Sequence, residues 1–250
     1  MNRWIGKVAV VTGASSGIGL ATSQYLVKEG MIVVGLARRK GKMEDEMKLF
    51  KGKGKFIAKE CDVSNETQIA ETFKWIHRTL GGVHVLINNA GLMTSSTMFE
   101  AKREVMSKIV NVNIMGLLYC TLEAVKIMKE LGTEGHIINI NSIVGHRVLR
   151  NKELAFNVYP ASKHAVTALT TTMEVELLGS KIRCTSVSPG LVKTEVFEAN
   201  SSEEKNISGA LDKLPNLLPE DVADSIVYIL GTNPRVQITE LTIRPLGEVF

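Results

Sequence analysis

The chain has 250 residues, 44% of them hydrophobic, so it is long enough to bury a sizeable core as one large α/β domain or two small ones. Its 30 Lys and Arg residues against 26 Asp and Glu residues leave a net charge of +4, too weak a bias to indicate nucleic-acid binding. The chain has three cysteines, Cys61, Cys120 and Cys184, and none of them form a C-x-x-C pair. Neither the cysteines nor the five histidines have the spacing of metal ligands, so the sequence argues against a disulfide framework and against a metal site. Such scattered cysteines favour a reducing, cytoplasmic location. The first predicted strand begins about seven residues from Met1, so we expect no signal peptide, and no apolar run approaches the about 20 residues of a membrane span.

The stretch KVAVVTGASSGIG, residues 7–19, predicts a strand, a glycine-rich turn and the start of a helix. The apolar run Val8–Val11 is typical of a strand buried on both faces of a parallel sheet. Gly13 lets the chain turn sharply, while Gly17 and Gly19 let the helix start approach both the sheet and a phosphate. Free N–H groups and the helix dipole favour a pyrophosphate there. The spacing is Gly-x-x-x-Gly-x-Gly rather than G-x-G-x-x-G, and no Lys-Ser or Lys-Thr makes it a P-loop. The alternative to a nucleotide site is a strand–turn–helix connection in which the glycines only avoid steric clashes.

A helix over about 17–29 and a second buried strand over 31–37 complete a predicted βαβ unit. The residue after this strand normally meets the adenosine ribose, and an acidic side chain there would repel a 2′-phosphate. Arg38 and Arg39 stand there instead, and guanidinium groups pair well with phosphate oxygens. The pattern therefore favours NADP, the alternative being two exposed arginines at a strand end. The run KGKGK that follows, residues 51–55, is interpreted as a solvated turn.

The next segments predict a third strand over 56–63, a helix over about 65–80 and a fourth strand over 83–91. Asn65 and Gln68 have the spacing of a capping box. The fourth strand ends in Asn88-Asn89-Ala90-Gly91, whose small residues let a backbone pass close beneath a ligand. Its Asn side chains can tie the central strands together.

Residues 100–130 form a long helical pattern that is interrupted near VNVNIMG. Asn113 lies in this interruption, and because a buried unpaired amide is costly, it needs a partner; a local hydrogen bond to the helix backbone is one reading. A fifth strand is predicted over 136–145. It carries Ser142 near the carboxyl end, where parallel strands face the ligand crevice.

The pentapeptide YPASK opens a helix predicted from Tyr159 to about Leu178. Positions i and i+4 share a helix face, so Tyr159 and Lys163 point the same way, and Pro160 is suited to the first turn. Taken alone, the pentapeptide also fits an ordinary amphipathic helix. A sixth strand over 181–190, a helix over 219–230 and a last strand over 236–246 follow, with no linker or repeat, so we expect one domain over residues 1–250.

The chain resembles the short-chain dehydrogenase/reductase family over essentially its whole length. The resemblance is carried by five features in this order: TGASSGIG, NNAG, Asn113, Ser142 and YPASK. The strings HIININS, GHRVL, AVTALT and the terminal IRP resemble its NADP-dependent members similar to dehydrogenase/reductase member eleven and to insect farnesol dehydrogenases. The resemblance implies an α/β fold, a doubly wound Rossmann-type parallel sheet of about seven strands with helices on both faces. It implies that the chain self-associates as a homodimer or homotetramer through the long helices around Asn113 and after Tyr159.

The resemblance also implies hydride transfer between a nicotinamide and a carbonyl carbon. Tyr159 would be the general acid/base, Lys163 would lower its pKa from about 10 and hold the ribose, Ser142 would donate to the reacting oxygen, and the Asn113 carbonyl would anchor a relay water. The cofactor-binding residues it implies are Gly13, Ser15, Ser16, Gly17, Ile18, Gly19, Arg38, Arg39, Asp62, Val63, Asn89, Ala90, Gly91, Tyr159, Lys163, Pro189, Gly190, Val192 and Thr194.

The expected substrate pocket is mostly apolar and favours a lipophilic alcohol or carbonyl compound such as an isoprenoid alcohol, a retinoid or a steroid. Its expected residues are Met93, Met98, Ile143, Val144, Phe156, Val192, Val196 and Phe197. Residues 191–215 are interpreted as a lid that closes on binding, and the loop over 145–158 looks slightly longer than is usual for the family. Two alternatives stay open: a ketoacyl-thioester reductase on the same scaffold, and a nucleotide-binding scaffold without turnover.

Overall fold

The computed structural model describes residues 1–150, 155–194 and 214–248. Seven strands form one sheet: β1 Val8–Thr12, β2 Ile32–Ala37, β3 Lys55–Glu60, β4 Val85–Asn88, β5 Gly135–Ile140, β6 Ile182–Pro189 and β7 Glu240–Ile243. Neighbouring strands pair in parallel in the order β3-β2-β1-β4-β5-β6-β7. The order reverses between β1 and β4, which places a crevice at the carboxyl ends of the central strands. This arrangement confirms the predicted fold class.

The helices cover both faces of the sheet. They are α1 Gly17–Lys28, α2 Lys40–Met47, α3 Glu66–Leu80, α4 Arg103–Val110, α5 Leu117–Leu131, α6 Tyr159–Glu176 and α7 Pro219–Gly231. Because successive side chains of a strand point to opposite faces of the sheet, β1 contributes side chains to two hydrophobic cores. Ala9 and Val11 join the core beneath α1 and α7, and Val8 and Val10 join the core beneath α3 and α5. Burial on both faces explains why β1 reads as a continuous apolar run.

Several boundaries differ from the sequence-based predictions. Helix α2 follows the two arginines and was not predicted. Strand β5 ends at Ile140, and Ser142 instead caps a short 3₁₀ helix over Ile143–Gly145, its hydroxyl accepting the Val144 N–H at 3.3 Å. Strand β7 is shorter than predicted. Side-chain hydrogen bonds link β6 to the residues just before β7. The Gln237 amide donates to the Cys184 carbonyl, and the Thr185 hydroxyl donates to the Ile238 carbonyl.

The predicted interruption of the long helix is a π-helical segment, Asn111–Gly116, between α4 and α5. The whole helical stretch Arg103–Leu131 has 29 residues and, by length and composition alone, is apolar enough to cross a membrane. Its inner face, which includes Cys120, Ala124 and Met128, packs into the sheet core. We therefore interpret this stretch as a core helix of the layered fold, and the π-helical turn in it presents Asn113 toward the crevice loops.

Candidate active site

A cleft of about 750 Å³ opens at the carboxyl ends of the strands. Its wall is built from the segments that follow β1 to β6, together with the start of α6 and Glu248 near the carboxyl end of the chain. It therefore lies at the switch point of the sheet, where ligands of such folds bind. The cleft brings together most of the residues that the sequence singled out.

The glycine turn between β1 and α1 forms the floor of this cleft. Gly13 has φ +67°, and a Cβ there would lie 2.9 Å from the Ala90 Cα, so only glycine fits without displacing the next turn. Ser16 precedes α1 without a side-chain cap, which leaves the first N–H groups of the helix available to a ligand. Gly13, Ser15, Ser16, Gly17 and Ile18 line the cleft.

Gly19 does not line the cleft. A Cβ at this position would lie 2.4 Å from the Gly13 carbonyl oxygen and 2.5 Å from Asn89 Nδ2. Its place in the structure is thus behind the turn, where it lets α1 pack against it. That Gly19 contacts a cofactor stays a prediction.

Arg38 and Arg39 follow β2 at the rim of the cleft. The Arg39 guanidinium donates to the Ser15 hydroxyl at 3.1 Å and to the Ser16 hydroxyl at 3.3 Å, so it lies over the glycine turn. Arg38 is exposed and close enough to Asp62 to act on the charge of its carboxylate. Two guanidinium groups therefore border the position where the second strand ends.

Asp62 and Val63 line the cleft after β3. Burial tends to raise the pKa of Asp62, but two hydrogen bonds from Ser64 and the charges of Arg38 and Lys108 outweigh it and lower that pKa. The predicted capping box is only half present: the Asn65 side chain accepts from the Gln68 N–H, whereas Gln68 Oε1 accepts the Asp62 N–H at 2.9 Å. Gln68 thus holds the Asp62 backbone.

The NNAG turn is tied to its neighbours by side chains, as the sequence predicts. Buried Asn88 donates to Asn139 on β5 at 2.9 Å and to Thr121 on α5 at 2.8 Å. Asn89 donates to the Thr12 carbonyl at 2.8 Å. The Thr12 hydroxyl in turn accepts the N–H groups of Asn89 and Ala90 at 3.0 and 2.9 Å. This role of Thr12 was missed, because the sequence shows only a small polar residue before a glycine. Asn89, Ala90 and Gly91 line the cleft.

Asn113 is 2% exposed and lies behind the cleft wall rather than on it. Its Oδ1 accepts the Leu92 N–H at 2.7 Å, and its Nδ2 donates to the Leu92 carbonyl at 2.9 Å and to Ser162 Oγ at 3.0 Å. The reading of a local bond to its own helix backbone is therefore wrong. The side chain joins the segment after NNAG to helix α6, which carries Tyr159.

Ser142, Tyr159 and Lys163 line the same part of the cleft. Lys163 lies one helical turn after Tyr159, its Nζ is 5.7 Å from the centre of the tyrosine ring, and it donates to the Ile140 carbonyl at 2.8 Å. The backbone at the end of β5 thus fixes the amine beneath the phenol. Ser142, two residues further along, hydrogen-bonds the Tyr159 side chain.

Burial dominates the acid–base properties of this group. It raises the pKa of Tyr159 to about 12, against a lowering effect of the Ser142 hydrogen bond. It lowers the pKa of Lys163 to about 8. The resemblance implies that the pKa of Tyr159 is lowered, and the described chain does not show this. Desolvation disfavours the phenolate more than the Ser142 hydrogen bond favours it. At neutral pH the phenol keeps its proton.

The approach to Tyr159 has an unusual backbone. Asn157 has φ 39°, the one positive φ at a non-glycine position among the described residues. Its side-chain amide donates to Thr94 Oγ1 at 2.9 Å and Ser96 Oγ at 3.0 Å, while its oxygen accepts the Val158 N–H. Asparagine tolerates this left-handed conformation better than most residues. It thereby anchors the start of α6 to the segment after β4.

The substrate side of the cleft is apolar. Of the predicted pocket residues, those that line it are Met93, Ile143, Val144, Phe156 and Val192. Met98 does not belong to the lining and is 53% exposed, so its prediction as a pocket residue is wrong. Val196 and Phe197, and most of the predicted lid, lie outside the described residues. Cleft residues that the sequence did not reveal include Leu149, Lys108 and Glu248.

The remaining predicted cofactor residues follow β6. Pro189, Gly190, Val192 and Thr194 line the cleft. The Thr194 side chain lies against Gly17, where a Cβ would be 3.1 Å from its Cγ2. The loop after β6 and the glycine turn thus face each other. This cradle of glycines and uncapped helix N–H groups fits the pyrophosphate of a dinucleotide.

A seven-stranded doubly wound sheet with a glycine turn at its switch point defines the class of Rossmann-type α/β proteins. A family model described as short chain dehydrogenase matches residues 7–205. The chain belongs to the short-chain dehydrogenase family and is an oxidoreductase of that family.

Individual relatives agree with this assignment. Farnesol dehydrogenase of Aedes aegypti is 46% identical, with 100% of both chains covered. Dehydrogenase/reductase SDR family member 11 of Mus musculus is 40% identical over 100% of this chain and 98% of its own. Among solved structures, a closed serine dehydrogenase complexed with NADP⁺ is 25% identical with a TM-score of 0.88, covering 97% of this chain and 96% of that one. A Burkholderia phymatum family member in complex with NAD has 25% identity and a TM-score of 0.85, covering 97% and 90%.

Proposed function

We propose that this protein is an NADP-dependent dehydrogenase/reductase that interconverts a lipophilic alcohol and its carbonyl compound. The observation that carries the proposal is the shared cleft: the glycine turn with its two rim arginines and the group of Ser142, Tyr159 and Lys163 line one continuous space. A dinucleotide laid along the turn would bring its reactive ring beside the tyrosine.

The preference for NADP rests on Arg38 and Arg39. Hydrogen bonds from charged donors contribute about 1.5–3 kcal/mol each, and about 1.4 kcal/mol corresponds to a tenfold change in affinity. Arg38→Ala and Arg39→Ala should each weaken NADP binding about tenfold or more and leave NAD binding nearly unchanged. Lys48→Ala is the matched control, since it removes the same charge from an exposed position just after α2 and outside the cleft. Equal affinities of the wild-type chain for NADP and NAD in a fluorescence titration would reject the assignment.

The proton chemistry follows from the three side chains at the strand ends. When bound, the dinucleotide supplies or accepts the hydride. The Tyr159 hydroxyl, protonated because burial raises its pKa to about 12, is placed to donate a proton to a carbonyl oxygen. Ser142 donates a hydrogen bond to the same oxygen, which stabilises developing negative charge. Lys163, held by the Ile140 carbonyl, supplies positive charge beside the phenol when protonated.

Asn113 has a different proposed role from the one that the resemblance implies. Both ends of its side-chain amide are engaged with Leu92 and Ser162. We therefore assign the side chain to holding the cleft wall against α6. A water relay at this position would have to use the backbone of the π-helical turn.

The substrate class rests on the apolar wall. The Phe156 ring lies 6.4 Å from the Tyr159 ring, and Ile143, Val144 and Leu149 line the same cleft. Such a wall gains free energy by covering hydrocarbon and offers few partners to a sugar. The 46% identical farnesol dehydrogenase supports an isoprenoid alcohol as the first candidate, while retinoids and steroids share the same chemistry.

The test is a spectrophotometric screen of alcohols and ketones with both cofactors, followed by Tyr159→Phe. This variant should bind NADP normally and lose nearly all turnover. A Tyr159→Phe variant with near-normal turnover would overturn the acid/base role. Activity confined to carrier-bound ketoacyl thioesters would select the ketoreductase alternative, and tight NADP binding without turnover on any substrate would select the scaffold alternative.

We also propose that the chain works as one domain in a cytoplasmic homodimer or homotetramer. Val110 on α4 and Leu122 on α5 are exposed, as is Val175 at the end of α6. These apolar side chains lie on the helices for which the resemblance implies self-association. Light scattering after size-exclusion chromatography distinguishes monomer, dimer and tetramer, and a strictly monomeric chain at working concentration would reject the proposal.

A further inference from the structure

Glu248, near the carboxyl end of the chain, places a buried carboxylate in the cleft wall. Its side chain is 2% exposed. Oε1 accepts the Leu191 N–H at 2.8 Å, and Oε2 lies 2.6 Å from Nε of Arg244. An acidic side chain buried this deeply needs such partners, because an unpaired charge in the protein interior is strongly unfavourable.

The carboxylate packs directly on the turn that leaves β6. A Cβ added at Gly190 would lie 2.6 Å from both carboxylate oxygens, so the close approach requires glycine. The Gly190 N–H donates to the Ile243 carbonyl at 2.8 Å, which ties the same turn to the end of β7. The last strand and the tail that follows it thus hold two consecutive N–H groups of the turn.

Leu217 anchors the same segment from the other side. The Lys193 N–H donates to the Leu217 carbonyl at 2.9 Å, and the Leu217 N–H donates to the Leu191 carbonyl at 2.8 Å. Thr194, at the end of the segment, packs against Gly17 of the glycine turn. Throughout residues 190–194, the backbone is therefore fixed between the chain terminus and the proposed phosphate site. Among the described residues, Glu248 supplies the acceptor for the Leu191 N–H.

We propose that Glu248 is a positioning residue that fixes the Gly190–Thr194 loop in the conformation that receives the dinucleotide. The inference rests on the proposed function, since this loop lines the cleft and carries the predicted cofactor residues Gly190, Val192 and Thr194. Glu248 acts through the Leu191 N–H, so its contribution depends on a hydrogen-bond acceptor at this place. Arg244 keeps the pair neutral, so the loop is held without adding net negative charge next to an anionic cofactor.

The first arm of the test measures amide hydrogen exchange in the chain without dinucleotide. Glu248→Ala should accelerate exchange in peptides covering Leu191–Lys193 by about tenfold or more, since local opening then lacks one charge-assisted hydrogen bond. Glu248→Gln keeps an acceptor oxygen and should retain most of the protection. Glu44→Ala, which removes a surface carboxylate paired with Lys40 on α2, is the control and should leave these peptides unchanged.

The second arm measures dinucleotide affinity by fluorescence titration of NADPH. Glu248→Ala should weaken binding about tenfold, and Glu248→Gln should bind within about threefold of the wild type. Gly190→Ala pushes the carboxylate off the loop from the opposite side, leaves Glu248 in the sequence, and should reproduce both effects of Glu248→Ala. In the exchange arm, which contains no dinucleotide, this second variant keeps the test decisive if Glu248→Ala folds poorly.

The outcomes separate this inference from the proposed function. Wild-type exchange and affinity in Glu248→Ala or Gly190→Ala, while the wild-type chain binds NADPH, would overturn the positioning role alone. If Glu248→Gln and Glu248→Ala lost exchange protection and NADPH affinity equally, the acceptor oxygen of Glu248 would not be what positions the loop. A wild-type chain that binds no nicotinamide dinucleotide would overturn the proposed function, whatever the exchange arm shows.

Discussion

Replacing Thr12 by valine should destabilise the protein through one hydroxyl group. Thr12 is 2% exposed at the end of β1, and its Oγ1 accepts the N–H groups of Asn89 and Ala90. In the Thr12→Val variant the Asn89 N–H keeps a second acceptor, the Ile87 carbonyl at 3.1 Å. The Ala90 N–H loses its acceptor among the described residues. The Ala90 N–H is only half-buried and faces the cleft, so leaving it unsatisfied costs at the low end of the about 1–3 kcal/mol of a buried donor, and we expect a loss of about 1 kcal/mol.

Thr22 offers a matched control of the same chemistry. It is fully buried in α1, and its hydroxyl has no hydrogen-bond partner within the described part of the chain. Thr22→Val replaces an unsatisfied hydroxyl by a methyl group of nearly the same shape, so the free energy of unfolding should stay equal or rise. Thr12→Ser keeps the hydroxyl and removes one methyl group, which costs about 1 kcal/mol.

The assay is urea unfolding at one fixed protein concentration, since self-association would otherwise shift the apparent stability. In a thermal melt, a loss of about 1 kcal/mol corresponds to a Tm about 2–4 °C lower for a domain of this size. Thr12→Val should also weaken NADP binding, because the Asn89–Ala90 backbone forms part of the cleft. A Thr12→Val variant as stable as Thr22→Val would refute the assignment of the hydroxyl as the link between the two turns.

Further predictions concern the helix that carries Tyr159. Asn157→Ala should unfold at a lower temperature than Asn157→Gly. Both variants lose the side-chain hydrogen bonds, but only alanine is strained at φ 39°, by about 1–2 kcal/mol. Thermal melts of the two variants that coincide would contradict this prediction. The pKa of Lys163 is lowered from 10.5 to about 8, so between about pH 8 and 10 this side chain binds fewer protons in the folded than in the unfolded chain, and its contribution to stability should rise with pH. Above pH 10 the raised pKa of Tyr159 reverses the sign, because the folded chain then keeps a proton that the unfolded chain releases. The buried thiols of Cys61, Cys120 and Cys184, whose pKa values burial raises, lower the stability from about pH 9 upward in every variant, so each contribution is measured as a difference from the wild type. The rise should be missing from Lys163→Met and the Tyr159 part of the fall from Tyr159→Phe; a Lys163→Met variant with the wild-type pH dependence between pH 8 and 10 would contradict the Lys163 assignment.

The sequence by itself determined the layered fold and most of the cleft. Local rules suffice for this: an apolar run buried on both faces predicts a central parallel strand, and glycines before a helix predict a sharp turn. Tyr159 and Lys163 share a helix face because of their spacing alone. The interruption of the long helix was likewise visible in the sequence, as a polar and small-residue segment within an apolar pattern.

Only the tertiary structure decided the contacts between segments far apart in the chain. The carboxylate of Glu248 meets Leu191, 57 residues away, and Thr12 meets Ala90, 78 residues away. No local pattern encodes such pairs. The same holds for Met98, since whether a side chain faces a cleft depends on how separate elements pack. The direction of the Tyr159 pKa also depends on the fold, because burial sets the desolvation of the phenol, and burial is a property of the packed chain rather than of the motif.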